Sequence, residues 1–405
     1  MRTSVQHANL DDLPPRAGYQ HTLSPYCGEQ ANYQRKRKGM LRTMFGEIHY
    51  HRAYYQCEMC AKGSYPLDTR LGLRPNQMSA EMERLAGLMG VQMPFAQASE
   101  VFEELTLVRL SDHSVDKATQ SYGKKMDHQE KQWYGETLDD EEMLRRERET
   151  PRPLRLYGSL DGGRVRVRNE DPPWRELKVG AWFEAKGQPP TSPDGEWTIE
   201  ASNITYYSDI AKAGDFGKTM WATGVQRQAD RVLELIFLGD GARWIWDLVD
   251  LYFPDAVQIV DWFHACEYLT PVAKIAFSDT QQQDQWLQQV KDDLWQGNLL
   301  AVIDACQQQV QPPLKHDDDP AQVAVRYFRN NQYRMDYPTY RANGYQIGSG
   351  TIESGVKQIA SQRMKVSGAR WNLDSARFVA KARAAYLSGY WHDLAQQSEP
   401  LSQCA

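Results

Sequence analysis

The sequence predicts a multidomain α+β and α/β architecture, and three observations carry that expectation. Residues 153–185 read as strands in hairpin order, and the segments after them alternate helix with strand. About ninety residues then separate Asp261 from Glu353, rich in Gln and Asp and helical in period, too many for a loop in a compact domain. Upstream, an alternating aromatic stretch runs into Cys57-Glu58-Met59-Cys60. A chain of 405 residues with 41% hydrophobic and 25% charged residues has material for two or three cored domains.

The first twenty or so residues predict weak structure. Residues 39–56 predict a hairpin around Gly46-Glu47 that delivers Cys57 and Cys60 to a knuckle, with Cys27 upstream. Paired Cys-x2-Cys knuckles on a hairpin are zinc-ribbon grammar, because each tight turn aims two thiolates at one tetrahedral metal. Only the second knuckle is complete: Ser24 stands three residues before Cys27, where a thiol would be. Cys27, Cys57 and Cys60 therefore predict a Zn2+ site completed by His21 or another nearby histidine, or else a ribbon-like hairpin without metal. This N-terminal domain spans 1–75.

Residues 76–126 predict three helices, with apolar residues at three- and four-residue spacing and N-caps at Ser111 or Asp112. The third is polar, carries Lys117 and ends at Lys124 and Lys125. Two layouts fit: a helix-turn-helix that puts its last helix into a DNA groove, or a plain three-helix bundle. Residues 127–152 predict a charged helical connector with a solvated face, ended by Thr150-Pro151-Arg152-Pro153.

The core, 153–270, begins as strand, tight turn at Asp161-Gly162-Gly163, and strand, with a third strand over 175–185. A buried strand then ends at Gly239-Asp240-Gly241, and another ends at Asp261 before a helix bearing His264. Hairpin strands followed by helix–strand alternation indicate a mixed sheet of the ribonuclease H kind. The segment 271–340 reads as an all-helical insertion, and 341–395 returns the chain to the sheet with the Glu353 helix and a C-terminal helix.

Net charge is −6, but charge is segregated. Residues 30–56 carry six Arg or Lys against Glu47 alone, and residues 341–383 carry eight against Glu353 and Asp374. A lone carboxylate within such a basic segment suits a metal ligand. Ligands of open α/β sheets sit at the carboxyl ends of strands, where Asp240 and Asp261 fall, with Asp161 beside the first turn. Gathered carboxylates repel one another unless hard divalent cations neutralise them, and two such ions about 4 Å apart promote phosphodiester transfer. His264 reads as either a satisfied structural histidine or an active-site residue. Trp244, Trp262 and Trp371 read as packing residues, with Trp371 beside Arg370 a candidate platform for a flipped base.

These motifs together ("GSLDGGRV", "FLGDGARWIW", "VDWFHACEYL" and "GSGTIESGVKQIASQRMKVSGARW") resemble bacterial insertion-sequence transposases of the Asp-Asp-Glu class, ISKra type, and more distantly the Mutator-like group. The resemblance covers most of the chain. It implies Asp161, Asp240 and Glu353 as Mg2+ (or Mn2+) ligands, Asp261 and His264 as an active-site Asp-x2-His pair, and a helical insertion before the glutamate. Ser24 departs from the family's first knuckle. The resemblance further implies double-stranded DNA as partner, both element terminal inverted repeats and target, with a homodimer or larger assembly on it and a nucleoid-associated place in a bacterial cytoplasm. Arg35, Lys36, Arg37, Lys38 and Lys117 would contact the ends, and Lys357, Arg363, Lys365 and Arg370 the phosphates near the cut. Two alternatives remain: a decayed, non-catalytic DNA-binding regulator, and a ribonuclease H-like nuclease without strand transfer. No membrane role is expected, because no run reaches roughly 18 apolar residues.

Overall fold

In the computed structural model, residues 20–71, 73, 78–188, 190–193, 195, 198–310 and 319–397 are described. The weak structure expected for the first residues lies almost wholly outside them. The chain divides into two compact units, one of residues up to Lys125 together with those from Tyr390, the other Met126–Gly389.

The first unit holds a four-stranded antiparallel sheet, β1 (His21–Leu23), β2 (Gln30–Thr43), β3 (Gly46–Cys57) and β4 (Gly63–Ser64), in sequence order. The hairpin is longer than the sequence predicts, since β2 pairs with β3 from Ala31 to Thr43. Alternation decides its faces. Tyr50 and Arg52 turn inward, where Arg52 meets Asp68 of α1 (Pro66–Leu71) at 2.7 Å and Tyr50 donates to the same carboxylate at 3.0 Å. Three helices follow, α2 (Ala80–Gln92), α3 (Phe95–Thr106) and α4 (Asp112–Glu136). Their apolar spacing closes a core of Met82, Ala86, Ala98, Phe102, Leu110, Val115 and Ala118. Tyr122 stacks on Trp391 of the C-terminal helix Trp391–Gln396 at 4.0 Å.

Helix α4 does not stop at Lys125 but runs to Glu136, and α5 (Asp140–Glu149) follows. The connector is therefore no uniformly solvated face. Asp127 and Glu130 are buried against Arg377 and Lys381, and these long-range ion pairs are what carry the helix onward.

The second unit is built on a five-stranded mixed sheet of β5 (Arg155–Arg166), β6 (Trp174–Lys186), β7 (Glu200–Asp209), β8 (Glu234–Gly239) and β9 (Val257–Val260). The order is β7-β6-β5-β8-β9; β5, β6 and β7 are antiparallel neighbours, and β8 and β9 run parallel to β5. The expected turn at Asp161-Gly162-Gly163 is absent. All three residues lie inside β5 and pair with Val179, Lys178 and Leu177. The segment 175–185 is accordingly the second strand and 200–209 the third.

Helices α6 (Ala213–Gln226) and α7 (Arg243–Tyr252) cover one face, where buried Trp182 donates to Thr223 Oγ1 at 3.0 Å and its ring meets Phe253. After β9 come α8 (Trp262–Glu267), α9 (Leu269–Ala276), α10 (Thr280–Trp295), α11 (Leu299–Gln307), α12 (Pro320–Asn331) and α13 (Tyr337–Ala342). The described part of the expected insertion is thus helical. The chain then returns through α14 (Gly350–Val356), which continues without a break as a π-helix, Lys357–Met364, and ends with α15 (Leu373–Leu387). Among the described residues no helix is long and apolar enough to cross a membrane.

Candidate active site and thiol cluster

Strand geometry brings the first two carboxylates together. The last β5–β8 pair is Ser159 with Leu238, so two residues further on Asp161, still inside β5, stands level with Asp240, which lies just past the carboxyl end of the parallel neighbour β8. Asp161 shares its face of β5 with Gly163, since side chains two apart point the same way. That face receives the returning helix: a Cβ on Gly163 would lie 3.0 Å from the Ala360 Cβ and 3.5 Å from Val356 Cγ1. One turn before Val356, exposed Glu353 projects from α14 near the two aspartates.

Electrostatics record the meeting. Burial above all, with the negative charges of Asp240 and Glu353, raises the Asp161 carboxyl to about 6, against the lowering by the Gly162 N–H bond and by His264. The Gly162 N–H donates to Asp161 Oδ1 at 2.6 Å. Asp240 Oδ1 accepts from the Ala242 N–H at 2.8 Å, and its carbonyl accepts the buried Tyr327 hydroxyl at 2.9 Å. Gly241 has φ +97°, and a Cβ there would meet Tyr327 Cε2 at 2.6 Å, so the Gly-Asp-Gly turn needs its second glycine for both reasons. The three carboxylates do not close within 4.8 Å of one another, as the thiols described below do. Ligands shared between two ions about 4 Å apart have no need to.

Asp261 is in a different position from the other acids. It is fully buried, with Oδ1 accepting the His264 N–H as the N-cap of α8 and Oδ2 accepting the Ser349 N–H. Both oxygens are thereby committed to backbone, and burial raises its carboxyl from the usual range. Ser349 in turn donates its hydroxyl to Glu353 Oε1 at 2.9 Å. A chain of contacts thus runs from the end of β9 through Asp261 and Ser349 to Glu353. Sequence reasoning missed Ser349 and Tyr327. Ser349 had a signal, four residues before Glu353 on one helix face; Tyr327, 87 residues from its partner, had none. His264 lies on α8 with Nδ1 3.4 Å from Glu267 Oε2, a half-buried ring close enough to influence the Asp161 carboxyl.

The basic residues sort by burial. Arg35, Lys36, Lys38, Lys117, Lys357, Lys365 and Arg370 are exposed. Arg37 is half-buried, stacked over Tyr54 at 4.0 Å and donating to the Tyr65 hydroxyl at 3.3 Å. Arg363 is 1% exposed, its guanidinium 5.1 Å from the Trp371 ring centre, so it does not face a phosphate. It lies on the inner side of the π-helix, facing the core. Trp371 is itself buried and donates to the Met364 carbonyl at 2.9 Å, a packing residue rather than a stacking platform.

In the first unit Cys27, Cys57 and Cys60 converge, all three sulfurs within 4.8 Å of one another, a group able to hold a metal such as zinc. The Ser24 hydroxyl and the Lys62 backbone N–H draw the Cys60 thiol down to about 7. Among the described residues no histidine joins the group, so the expectation of His21 as fourth ligand fails: its strand places it, exposed, opposite Asn32.

No protein-family model matches the chain, and no curated protein matches it significantly.

Proposed function

We propose that this chain is a Mg2+- or Mn2+-dependent DNA transposase of the Asp-Asp-Glu class with a ribonuclease H-like core, cutting and joining DNA at the ends of an insertion sequence. The observation that carries the proposal is the gathering of Asp161 inside β5, Asp240 just past the carboxyl end of the neighbouring β8, and Glu353 of α14, with the Asp161 carboxyl raised to about 6. Three mutually repelling carboxylates over the middle strands of the sheet fit hard, oxygen-seeking divalent cations, and these three residues would hold them. Bound there, such ions activate a water or 3′-hydroxyl nucleophile and stabilise the leaving oxygen.

The chain's own residues give the site its rigidity. Ala242 and Tyr327 fix the Asp240 turn, Ser349 orients Glu353, and Asp261 ties β9 to the start of α14. Asp261 thus serves as a positioning residue, and Asp240 is the second ligand. Exposed Lys357, Lys365 and Arg370 supply positive charge for phosphates near the cut. Exposed Arg35, Lys36 and Lys38 on the long β2–β3 ribbon, with Lys117 on α4, would engage the terminal repeats, α2–α4 serving as a helix-turn-helix. Joining two ends requires at least a dimer on DNA.

An excision assay tests this. A marker flanked by the element's own ends is supplied with wild-type protein or with Asp161→Ala, Asp240→Ala or Glu353→Gln. Wild type is expected to excise, and each variant to lose excision while still retarding end DNA. Wild type that binds the ends yet neither excises nor cuts them with Mg2+ or Mn2+ would overturn the catalytic reading in favour of a regulator. Cutting without joining would leave a nuclease.

A further inference from the structure

We propose that Ser24 supplies the fourth vertex of the thiol cluster, making it a zinc site of three sulfurs and one oxygen. The two halves of the cluster are equivalent turns. The Ser24 N–H donates to the Glu29 carbonyl at 2.7 Å, and the Cys57 N–H donates to the Lys62 carbonyl at 3.0 Å, each reaching five residues on. The residue after the last thiol of each turn, Cys27 or Cys60, has a left-handed backbone, φ +76° at Gly28 and +57° at Ala61. Ser24 therefore occupies in the first knuckle the place that Cys57 occupies in the second.

The cross-contacts obey the same pseudo-two-fold. Cys27 Sγ lies 3.6 Å from Cys57 Sγ, and its symmetry mate is the 3.5 Å approach of Ser24 Oγ to Cys60 Sγ. Zinc bonds of about 2.3 Å to sulfur and about 2.0 Å to oxygen give tetrahedral edges of about 3.8 Å between sulfurs and about 3.5 Å between sulfur and oxygen. Both observed edges fall close to these lengths. Closing the remaining sulfur–sulfur separations, all within 4.8 Å, needs side-chain shifts of about 1 Å. The sulfurs are all free thiols. Ser24 is 4% exposed, so its hydroxyl is held inside the cluster rather than pointing to solvent. The Tyr26 N–H reaches that oxygen at 3.3 Å, which leaves a lone pair for a metal.

An alcohol oxygen is a weaker zinc donor than a thiolate, so this vertex makes the ion exchangeable where a four-sulfur ribbon would hold it fast. The test uses full-length protein and does not involve transposition. Co2+ is titrated into metal-free wild type, Ser24→Ala and Ser24→Cys, and loss of bound Zn2+ to a chelator is timed. Wild type is expected to give a tetrahedral Co2+ spectrum with charge transfer from three thiolates. Ser24→Cys should raise that charge-transfer band by about one third and slow zinc loss about tenfold or more, and Ser24→Ala should speed the loss about tenfold without changing the band. A weak octahedral spectrum in wild type, no added charge transfer in Ser24→Cys, or wild-type release kinetics in Ser24→Ala would each overturn the assignment. Failed excision beside the expected spectra would count against the transposase reading alone.

Discussion

At the scale of single residues, the useful division is between carboxylates that face one another and the one that faces backbone. Asp161, Asp240 and Glu353 are electrostatically coupled, whereas Asp261 spends both oxygens on the His264 and Ser349 amides. Two substitutions should separate these duties. Ser349→Ala removes the hydroxyl that orients Glu353 Oε1 and that also lies against the Asp261 carboxylate, while keeping the backbone N–H that Asp261 accepts. It is expected to raise the Mg2+ concentration for half-maximal excision about tenfold, with thermal stability and end binding unchanged and Ser349→Thr restoring the wild-type value. Asp261→Asn instead turns an amide NH2 toward a buried N–H donor, at a cost in stability of about 1–3 kcal/mol. Thermal unfolding reads it directly. A Ser349→Ala enzyme with wild-type Mg2+ dependence would show that Glu353 holds its rotamer without this contact.

At the scale of elements, local patterns in the sequence were legible and partners far along the chain were not. The spacing and caps of α2–α4 lie within a few residues of one another, and so do the apolar runs that place Asp240 and Asp261 at strand ends. Asp161-Gly162-Gly163 misleads because Asp-Gly-Gly is turn chemistry locally. Here Gly163 is small because the helix after Glu353 rests on it, a contact spanning nearly two hundred residues. Arg363 reads as a phosphate contact for the same reason, since helical periodicity gives no warning of a π-helical stretch that leaves it against Trp371. The seat of α14 makes a prediction of its own. A Cβ on Gly355 would stand 2.5 Å from Cε1 of buried Tyr206, whose hydroxyl is fixed on the Thr351 carbonyl at 3.1 Å. Gly355→Ala should therefore cost about 1–3 kcal/mol and reduce excision by shifting Glu353, and Tyr206→Val in the same chain should recover part of both. Unfolding midpoints equal to wild type would mean that the helix slides at no cost.

At the scale of the whole molecule, the net charge of −6 conceals an interior account of charge that the surface does not share. Asp127 and Glu130 of α4, Asp209 at the end of β7, and Arg377 and Lys381 of α15 form a buried cluster of three acids and two bases. Lys131, largely exposed, adds a third base 2.7 Å from Asp127, whereas Glu130 has only Lys381, which it shares with the other two acids, so Glu130 is the acid with least compensation. Against burial, Lys381, Arg377 and, for Asp127, Lys131 hold Asp127 and Asp209 below the usual carboxylate range, and the three acids hold Lys381 above the usual lysine range. Glu130 is the acid that yields: burial pushes it up to about 7, with Lys381 only partly opposing. A carboxyl raised from 4.5 to about 7 contributes stability that is fully present below pH 4.5 and is lost as pH rises through about 7, roughly 3 kcal/mol in all. Glu130→Gln keeps the shape and the donor-acceptor capacity of the protonated acid without its titration. Urea unfolding is expected to show wild type and Glu130→Gln close together at about pH 5, with the variant the more stable at about pH 8. Should Glu130→Gln instead lose stability at about pH 8, Glu130 is ionised there and its pairing with Lys381 outweighs the burial of the extra charge.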